Sequence, residues 1–285
     1  MVKLSIIIPT HNEESDISSC LQSLEKQSFS DFEVIVVDDG STDDTLKIVK
    51  NHKGKLKIKI IKGQHKGPGF SRNLGAKSAK GEILIFIDAD MTFHKDYLKN
   101  LTSPIIKNKK IIGTCHDYEL VENISNIWSR CWGRVRVSKK EAKNITIFRA
   151  IRRSVFLKHG GFDSKYGYAD DQTLFFKYKL KPVVAPNSTC YHKNPETLRK
   201  VFNQSRWISA SFDHKILNLP LLKYLIPLIL VLISPIAIPI LSVKKAIKNH
   251  DLAIIFPWML IFMTLRYFGS ISGISRKIYL NLNYR

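Results

Sequence analysis

The chain has 285 residues, a formal net charge of +21 and 44% hydrophobic residues. That length suits one large domain with an appendage, and that apolar content excludes a chain too poor in hydrophobic residues to fold. Charge is concentrated at one end: residues 190–285 hold 13 Lys and Arg against 3 Asp and Glu. Such an excess suits nucleic acid, anionic lipid or phosphorylated substrates alike. Apolar runs in the same region select lipid, and no aromatic-interleaved basic stripe elsewhere supports nucleic acid. Cys20, Cys115, Cys131 and Cys190 have no metal-binding spacing, so reduced thiols in a cytosolic compartment are expected.

In chain order, residues 4–8 read as a first strand, so no signal peptide is expected ahead of them. The strand runs into Pro9-Thr10-His11-Asn12-Glu13. Residues 15–27 carry Ile17, Cys20, Leu21 and Leu24 at helical spacing, with Ser15 or Asp16 as N-cap. A second strand over 32–37 stops at Asp38-Asp39-Gly40-Ser41, and a short helix follows over 42–50. A strand over 56–61 and a helix over 70–79 lead to residues 83–87, five apolar positions that run straight into Asp88 and Asp90. Strands and helices alternating at this spacing predict a parallel sheet with right-handed crossovers.

Beyond residue 100 the pattern loosens. Strands are expected over 111–115 and 145–150, and helices over 154–159 and 170–178. An aromatic amphipathic helix or helix pair is expected over 196–217. Residues 224–243 hold 20 positions without a charge, enough to cross a hydrocarbon core about 30 Å thick. Pro227, Pro235 and Pro239 favour a membrane helix over a buried soluble one. A second apolar stretch, 252–275, is broken only by Arg266, and the link between the two is basic. Two spans would place that link opposite the catalytic domain; an interfacial hairpin would keep its lysines cytosolic. The expected domains are residues 1–212, in halves 1–100 and 101–212, and a membrane-associated region 213–285 with helices over 219–243 and 252–275.

Asp88-Ala-Asp90 is the centre of the chemistry. Ligands of open α/β sheets collect beyond the carboxyl ends of the strands. Two carboxylates in one such place repel unless a cation joins them, and oxygen ligands select a hard metal whose shell phosphate oxygens can complete. Gly67-Pro68-Gly69 does not follow the first strand and lacks a third glycine, which excludes a dinucleotide fingerprint.

Seven motifs, in order, resemble glycosyltransferase family 2 with the GT-A fold, an α/β sheet with flanking helices. They are Pro9-Thr10-His11-Asn12-Glu13, Asp38-Asp39-Gly40-Ser41, Gly69 to Gly75 with Arg72-Asn73, Asp88-Ala89-Asp90, Gly160-Gly161-Phe162-Asp163, Asp170-Asp171, and Gln204-Ser205-Arg206-Trp207. The resemblance covers about residues 4–210. It implies that Pro9, Thr10, Asn12, Glu13, Asp38 and Asp39 hold the base and ribose of a nucleotide sugar, and that Arg72 sets a guanidinium fork against phosphate. It places Asp88 towards ribose and metal, and makes Asp90 and His192 ligands of Mn2+ or Mg2+. Asp171 becomes the general base of an inverting transfer, supported by Asp170. Arg206 would face the diphosphate and Trp207 stack on the acceptor sugar, although this element is one residue shorter than the family's pattern.

Each residue also has a plainer reading. Asp38 and Asp39 suit a helix-capping turn, Asp170-Asp171 suit the positive end of a helix dipole, His192 suits a core position, and Arg206-Trp207 suit an interfacial belt. Taken together, the motifs imply a membrane-attached, metal-dependent inverting glycosyltransferase with a UDP- or GDP-sugar donor and a lipid-linked or glycan acceptor at the cytosolic face. The alternatives are a membrane-tethered nucleotide-sugar-binding protein without turnover and a sugar nucleotidyltransferase.

Overall fold

A computed structural model describes residues 3–211, 222–248 and 252–280. The chain divides into two compact units, one of Met1–Leu120, Val135–Ser164 and Asp170–His192, the other of Val121–Arg134, Lys165–Ala169 and Lys193–Arg285. The expected boundary at 212/213 and the start of the expected helix at 219 lie outside the described residues.

The first unit opens with β1 (Leu4–Thr10), α1 (Ile17–Glu25), β2 (Phe32–Asp38), α2 (Thr45–Lys50), β3 (Ile58–Lys62), α3 (Pro68–Ser78) and β4 (Ile83–Phe86). It continues through β5 (Met91–Phe93), α4 (Tyr97–Lys107) and β6 (Gly113–Val121). After α5 (Ile127–Trp132) come β7 (Val135–Val137), α6 (Lys139–Ala142), β8 (Ala150–Arg152), α7 (Arg153–Lys158), α8 (Thr173–Tyr178) and β9 (Val183–His192). The sheet order is β3-β2-β1-β4-β8-β6-β9-β5, with β7 on β6. The pairs β1–β2, β2–β3 and β1–β4 are parallel, as the alternation of strand and helix predicts. Pairs β4–β8, β6–β8, β6–β7 and β5–β9 are antiparallel.

Side-chain alternation divides the strands between two cores. Leu4, Ile6, Ile8, Val34, Val36, Ile83, Ile85 and Ile87 pack in a cluster with α1 and α4. Ile7, Ile35, Val37, Leu84 and Phe86 pack in another with α3 and α7. Both faces are apolar because helices cover both, which is why these strands read as unbroken hydrophobic runs.

Several elements differ from the sequence expectation. Asp16 is the N-cap of α1 but makes no side-chain cap bond; its carboxylate accepts from the Ser15 hydroxyl at 2.7 Å. Of the strand expected over 145–150 only Ala150 is strand, in β8, which runs on to Arg152; Ile145 N–H instead closes the turn after α6 on the Ala142 carbonyl. The helix expected from 170 begins at Thr173, after a 3-10 segment Ser164–Gln172 broken at Gly167. Strands β5, β7 and β9 and helix α4, which contains Pro104, were not expected.

The second unit contains α5, α9 (Leu198–Ser211), α10 (Leu222–Lys248) and α11 (Phe256–Leu280). Its core joins Cys131, Val201, Leu252, Ile255, Met259 and Phe262. Within α10, Tyr224–Ile247 is the one described stretch long and apolar enough to cross a membrane, and 17% of its most apolar window is buried. Leu232 and Ile236 are 70% and 68% exposed. The helix runs through all three prolines, and Tyr267 Oη donates to the Leu230 carbonyl at 2.9 Å. Helix α11 is amphipathic, with Met259 and Phe262 buried and Ile261 and Phe268 exposed. Its Arg266 guanidinium stacks on Trp132 at 4.2 Å.

Gly75 shows how tightly α3 lies on the sheet: a Cβ there would meet Ile7 Cγ2 at 2.5 Å and Val37 Cγ2 at 3.2 Å. Gly75→Ala should therefore destabilise the protein by about 1–3 kcal/mol, read as a lowered denaturant midpoint with unchanged slope. An unshifted midpoint would show that this contact relaxes freely.

Candidate active site

The loops after β1 and β2 form one hydrogen-bonded unit. Pro9 and Thr10 end β1, and Asp39 N–H donates to the Thr10 carbonyl at 2.8 Å. Asn12 takes a left-handed backbone, φ 57°, and its Oδ1 accepts from Thr42 N–H at 2.8 Å. Glu13 N–H donates to the Thr45 hydroxyl at 2.8 Å. Asp38 Oδ1 accepts from Ser41 N–H at 3.3 Å, while the Asp39 carboxylate accepts from Lys66 N–H at 3.1 Å and Gly67 N–H at 2.7 Å. The helix-capping reading of this pair does not hold: the N-cap of α2 is Asp44. Asp39 instead ties the β2 loop to the residues that start α3.

Two further motifs are tied together by a side-chain amide. Asn73 Nδ2 donates to the Phe162 carbonyl at 2.7 Å, and Phe162 N–H donates back to Asn73 Oδ1 at 2.8 Å. Gly161 has φ 75°, and a Cβ there would run into Asn73 Oδ1, so both glycine and asparagine are required by the same clamp.

Beyond β4, Asp88 sits between two guanidiniums. Arg72 Nη2 donates to its Oδ1 at 2.6 Å and Arg149 Nη1 to its Oδ2 at 3.3 Å. Burial would raise the Asp88 pKa, but the two cations outweigh it and hold the carboxyl below its ordinary value. Arg72 also donates through Nη1 to Asp170 Oδ1 at 3.2 Å. Asp170 is buried, and its place is open because residue 69 is glycine, whose Cβ would collide with that carboxylate. Burial is the main reason its pKa rises to about 7; Arg72 opposes the rise and the charge of Asp171 adds to it. Burial also raises Asp171, against Arg72 and Arg149.

Asp90 takes a different partner. The β5–β9 register pairs Met91 with His192, which brings His192 Nε2 to 3.1 Å from Asp90 Oδ1. Burial disfavours the imidazolium, but the Asp90 charge and hydrogen bonds to Asp90 and Glu119 lift the pKa of His192 to about 9. An imidazole nitrogen facing a carboxylate oxygen fits Mn2+ or another borderline-hard cation and leaves most of the coordination shell for phosphate oxygens. His116, Glu119 and Cys190 also place ligand atoms within 4.8 Å of one another. That cluster is buried and bonded to itself, with His116 Nε2 2.9 Å from Glu119 Oε2 and His116 Nδ1 3.4 Å from Cys190 Sγ.

Arg206 and Trp207 lie on α9 in the second unit, where the Trp207 ring meets Tyr168 edge-on at 5.0 Å. Arg149, Glu119 and His116 escaped the sequence reading. Arg149 had a faint signal, a lone charge inside the apolar run 145–151, whereas His116 and Glu119 share a polar stretch with Asp117, and nothing local indicated the partner of any of them.

A model of the family described as "Glycosyl transferase family 2" matches residues 5–162. The poly(ribitol-phosphate) beta-N-acetylglucosaminyltransferase TarS of Staphylococcus aureus is 45% identical over 104 residues, which are 35% of this chain and 18% of that one. The GalNAc(5)-diNAcBac-PP-undecaprenol beta-1,3-glucosyltransferase of Campylobacter jejuni is 30% identical over 194 residues, 64% of this chain and 61% of that one. The match thus spans less than two thirds of either relative. Among solved structures, the mannosyltransferase PcManGT from Pyrobaculum calidifontis, in complex with GDP-Man and Mn2+, superposes with a TM-score of 0.57 at 18% identity, over 94% of this chain and 87% of that one. This likeness establishes a GT-A-type fold.

The raised pKa of Asp170 has a consequence for stability. Its folded pKa of about 7 lies above the ordinary value, so the folded state favours the protonated form. The contribution is complete below about pH 4 and is lost as pH rises through 7. Between pH 5 and pH 8 the protein should lose roughly 2–4 kcal/mol of unfolding free energy from this group, and Asp170→Asn should lose correspondingly less. Equal pH slopes in denaturant titrations of the two proteins would refute the titration of Asp170.

Proposed function

The chain belongs to glycosyl transferase family 2, and on that premise we propose that it transfers a sugar, with inversion, from a UDP- or GDP-sugar to a lipid-linked or glycan acceptor. The reaction is metal-dependent and takes place at the cytosolic face of a membrane. The observation that carries this reading is the division of labour beyond β4: Asp88 is engaged by Arg72 and Arg149, while Asp90 faces His192.

Asp90 and His192 are then the protein ligands of Mn2+ or Mg2+. Bound there, the cation would neutralise charge developing on the departing nucleoside diphosphate. Asp88, with both oxygens held by guanidiniums, orients Arg72 and Arg149 and serves the ribose end of the donor more than the metal. The loops carrying Pro9, Thr10, Asn12, Glu13, Asp38 and Asp39 hold the base and ribose. Asp171 takes the proton of the acceptor hydroxyl as it attacks the anomeric carbon, and Asp170 supports it; the raised pKa of each suits a base working near neutral pH. With a phosphate acceptor no base is needed. Arg206 and Trp207 are assigned to the diphosphate and the acceptor sugar.

Support for the donor class comes from the structural neighbour that holds GDP-Man and Mn2+. Both curated relatives are named for acceptors that contain phosphate, a diphospho-undecaprenol glycan and a poly(ribitol-phosphate). A basic C-terminal third suits such an acceptor, and the exposed apolar face of α10 suits a membrane.

Transfer from a labelled nucleotide sugar to membrane lipids should stop on chelation and return with Mn2+. Asp90→Asn should abolish transfer and weaken metal-dependent nucleotide binding. Asp171→Asn should retain nucleotide binding and lose about 10²–10⁴-fold in transfer to a hydroxyl acceptor. Full activity under chelation would defeat the metal's role, and unimpaired Asp171→Asn would defeat the base assignment. Nucleotide-sugar binding with no transfer to any lipid or glycan acceptor would leave a binding protein.

A further inference from the structure

The proposed metal site rests on a buried polar network for which the donor chemistry gives no direct use. Glu119 Oε1 lies 2.6 Å from His192 Nδ1 and 2.9 Å from Arg136 Nε, and its Oε2 lies 2.9 Å from His116 Nε2. The His116 ring is itself held, with Nδ1 3.4 Å from Cys190 Sγ. The Glu119 and His116 side chains are 5% and 2% exposed. A buried carboxylate with three donors around it has little freedom to move.

The backbone shows the same purpose. Strand β6 lies beside β9 in the sheet, and its pairing with β7 shifts register between Glu119 and Leu120. Such irregularities re-aim a side chain relative to the regular pleat. Strand β7 also supplies Arg136, whose charge compensates the carboxylate. A carboxylate that accepts the second ring N–H of a metal-ligating histidine fixes its tautomer and orientation and strengthens it as a ligand.

We propose that Glu119 is a positioning residue: it takes the Nδ1 proton of His192 as a hydrogen bond and so directs the Nε2 lone pair, beside Asp90, at the divalent cation. His116 and Arg136 hold Glu119 in that pose. This rests on the reading of Asp90 and His192 as the cation's protein ligands. Glu119 does not touch the cation, and its effect passes entirely through the imidazole.

The test uses the full chain in detergent with UDP and Mn2+. Free Mn2+ is measured by electron paramagnetic resonance, and histidine coordination by the nitrogen modulation of the bound Mn2+ spin echo. Wild type should show that modulation, and His192→Ala should lose it. Glu119→Gln should weaken Mn2+ binding about 10–100-fold and diminish the modulation, while metal-free UDP binding stays unchanged. Glu119→Asp keeps the charge that Arg136 needs but draws it back from Nδ1; it should weaken Mn2+ in the same direction and serves if the glutamine variant does not fold. Loss of Mn2+ in Asp90→Asn and His192→Ala, with wild-type affinity and modulation in both Glu119 variants, would overturn the positioning role alone. Wild-type Mn2+ binding in Asp90→Asn and His192→Ala would overturn the metal-site reading and this proposal with it.

Discussion

The arrangement at the sheet's carboxyl edge depends on Asp88 being held between Arg72 and Arg149. A buried guanidinium without an anion is costly, and removing one partner of such a pair strands the other. Asp88 satisfies two at once, and Arg72 reaches on to Asp170. The network therefore counts two cations against Asp88, Asp170 and Asp171. Burial, with the surplus carboxylate adding to it, is why Asp170 rises towards neutrality, while the two guanidiniums keep Asp88 ionised.

The second constraint is register. Side chains alternate across a strand, so a slip of one residue between β5 and β9 would turn His192 to the opposite face. The observed pairing of Met91 with His192 brings the imidazole to Asp90, and Glu119 on β6 lies 2.6 Å from its other ring nitrogen. The acidic motif and the histidine are thus coupled through a short antiparallel pair, although about a hundred residues separate them in the chain. The same logic governs Asn73 and Gly161, where one side-chain amide joins two distant loops.

The second unit follows different physics. Its apolar helix α10 turns large aliphatic side chains outward, Leu232 at 70% and Ile236 at 68% exposure among them, an apolar face of the kind that marks an interaction surface. Inside that unit the cation of Arg266 meets the aromatic rings of Trp132 and Phe262. Helix α11 keeps one apolar face inward, which accounts for its mixed composition.

The parallel half of the sheet was legible in the sequence because its strands are buried on both faces and its turns end in Asp, Asn and Gly; local chemistry sufficed there. Asp88 and Asp90, just beyond β4, and Arg72, within α3, were singled out from the sequence by their motifs, and the structure brings Arg72 to Asp88. The strand expected over 145–150 shares only Ala150 with β8, and β5, β7 and the ten-residue β9 went unseen, because antiparallel strands in mixed polar sequence exist only through their partners. Arg149, Glu119 and His116 are ordinary letters until the fold supplies a carboxylate or an imidazole within 3.5 Å. Local periodicity and composition determined which segments could form strands and helices. Tertiary pairing decided which buried charges meet, because Coulombic partners in a protein interior are set by distance in space and not along the chain.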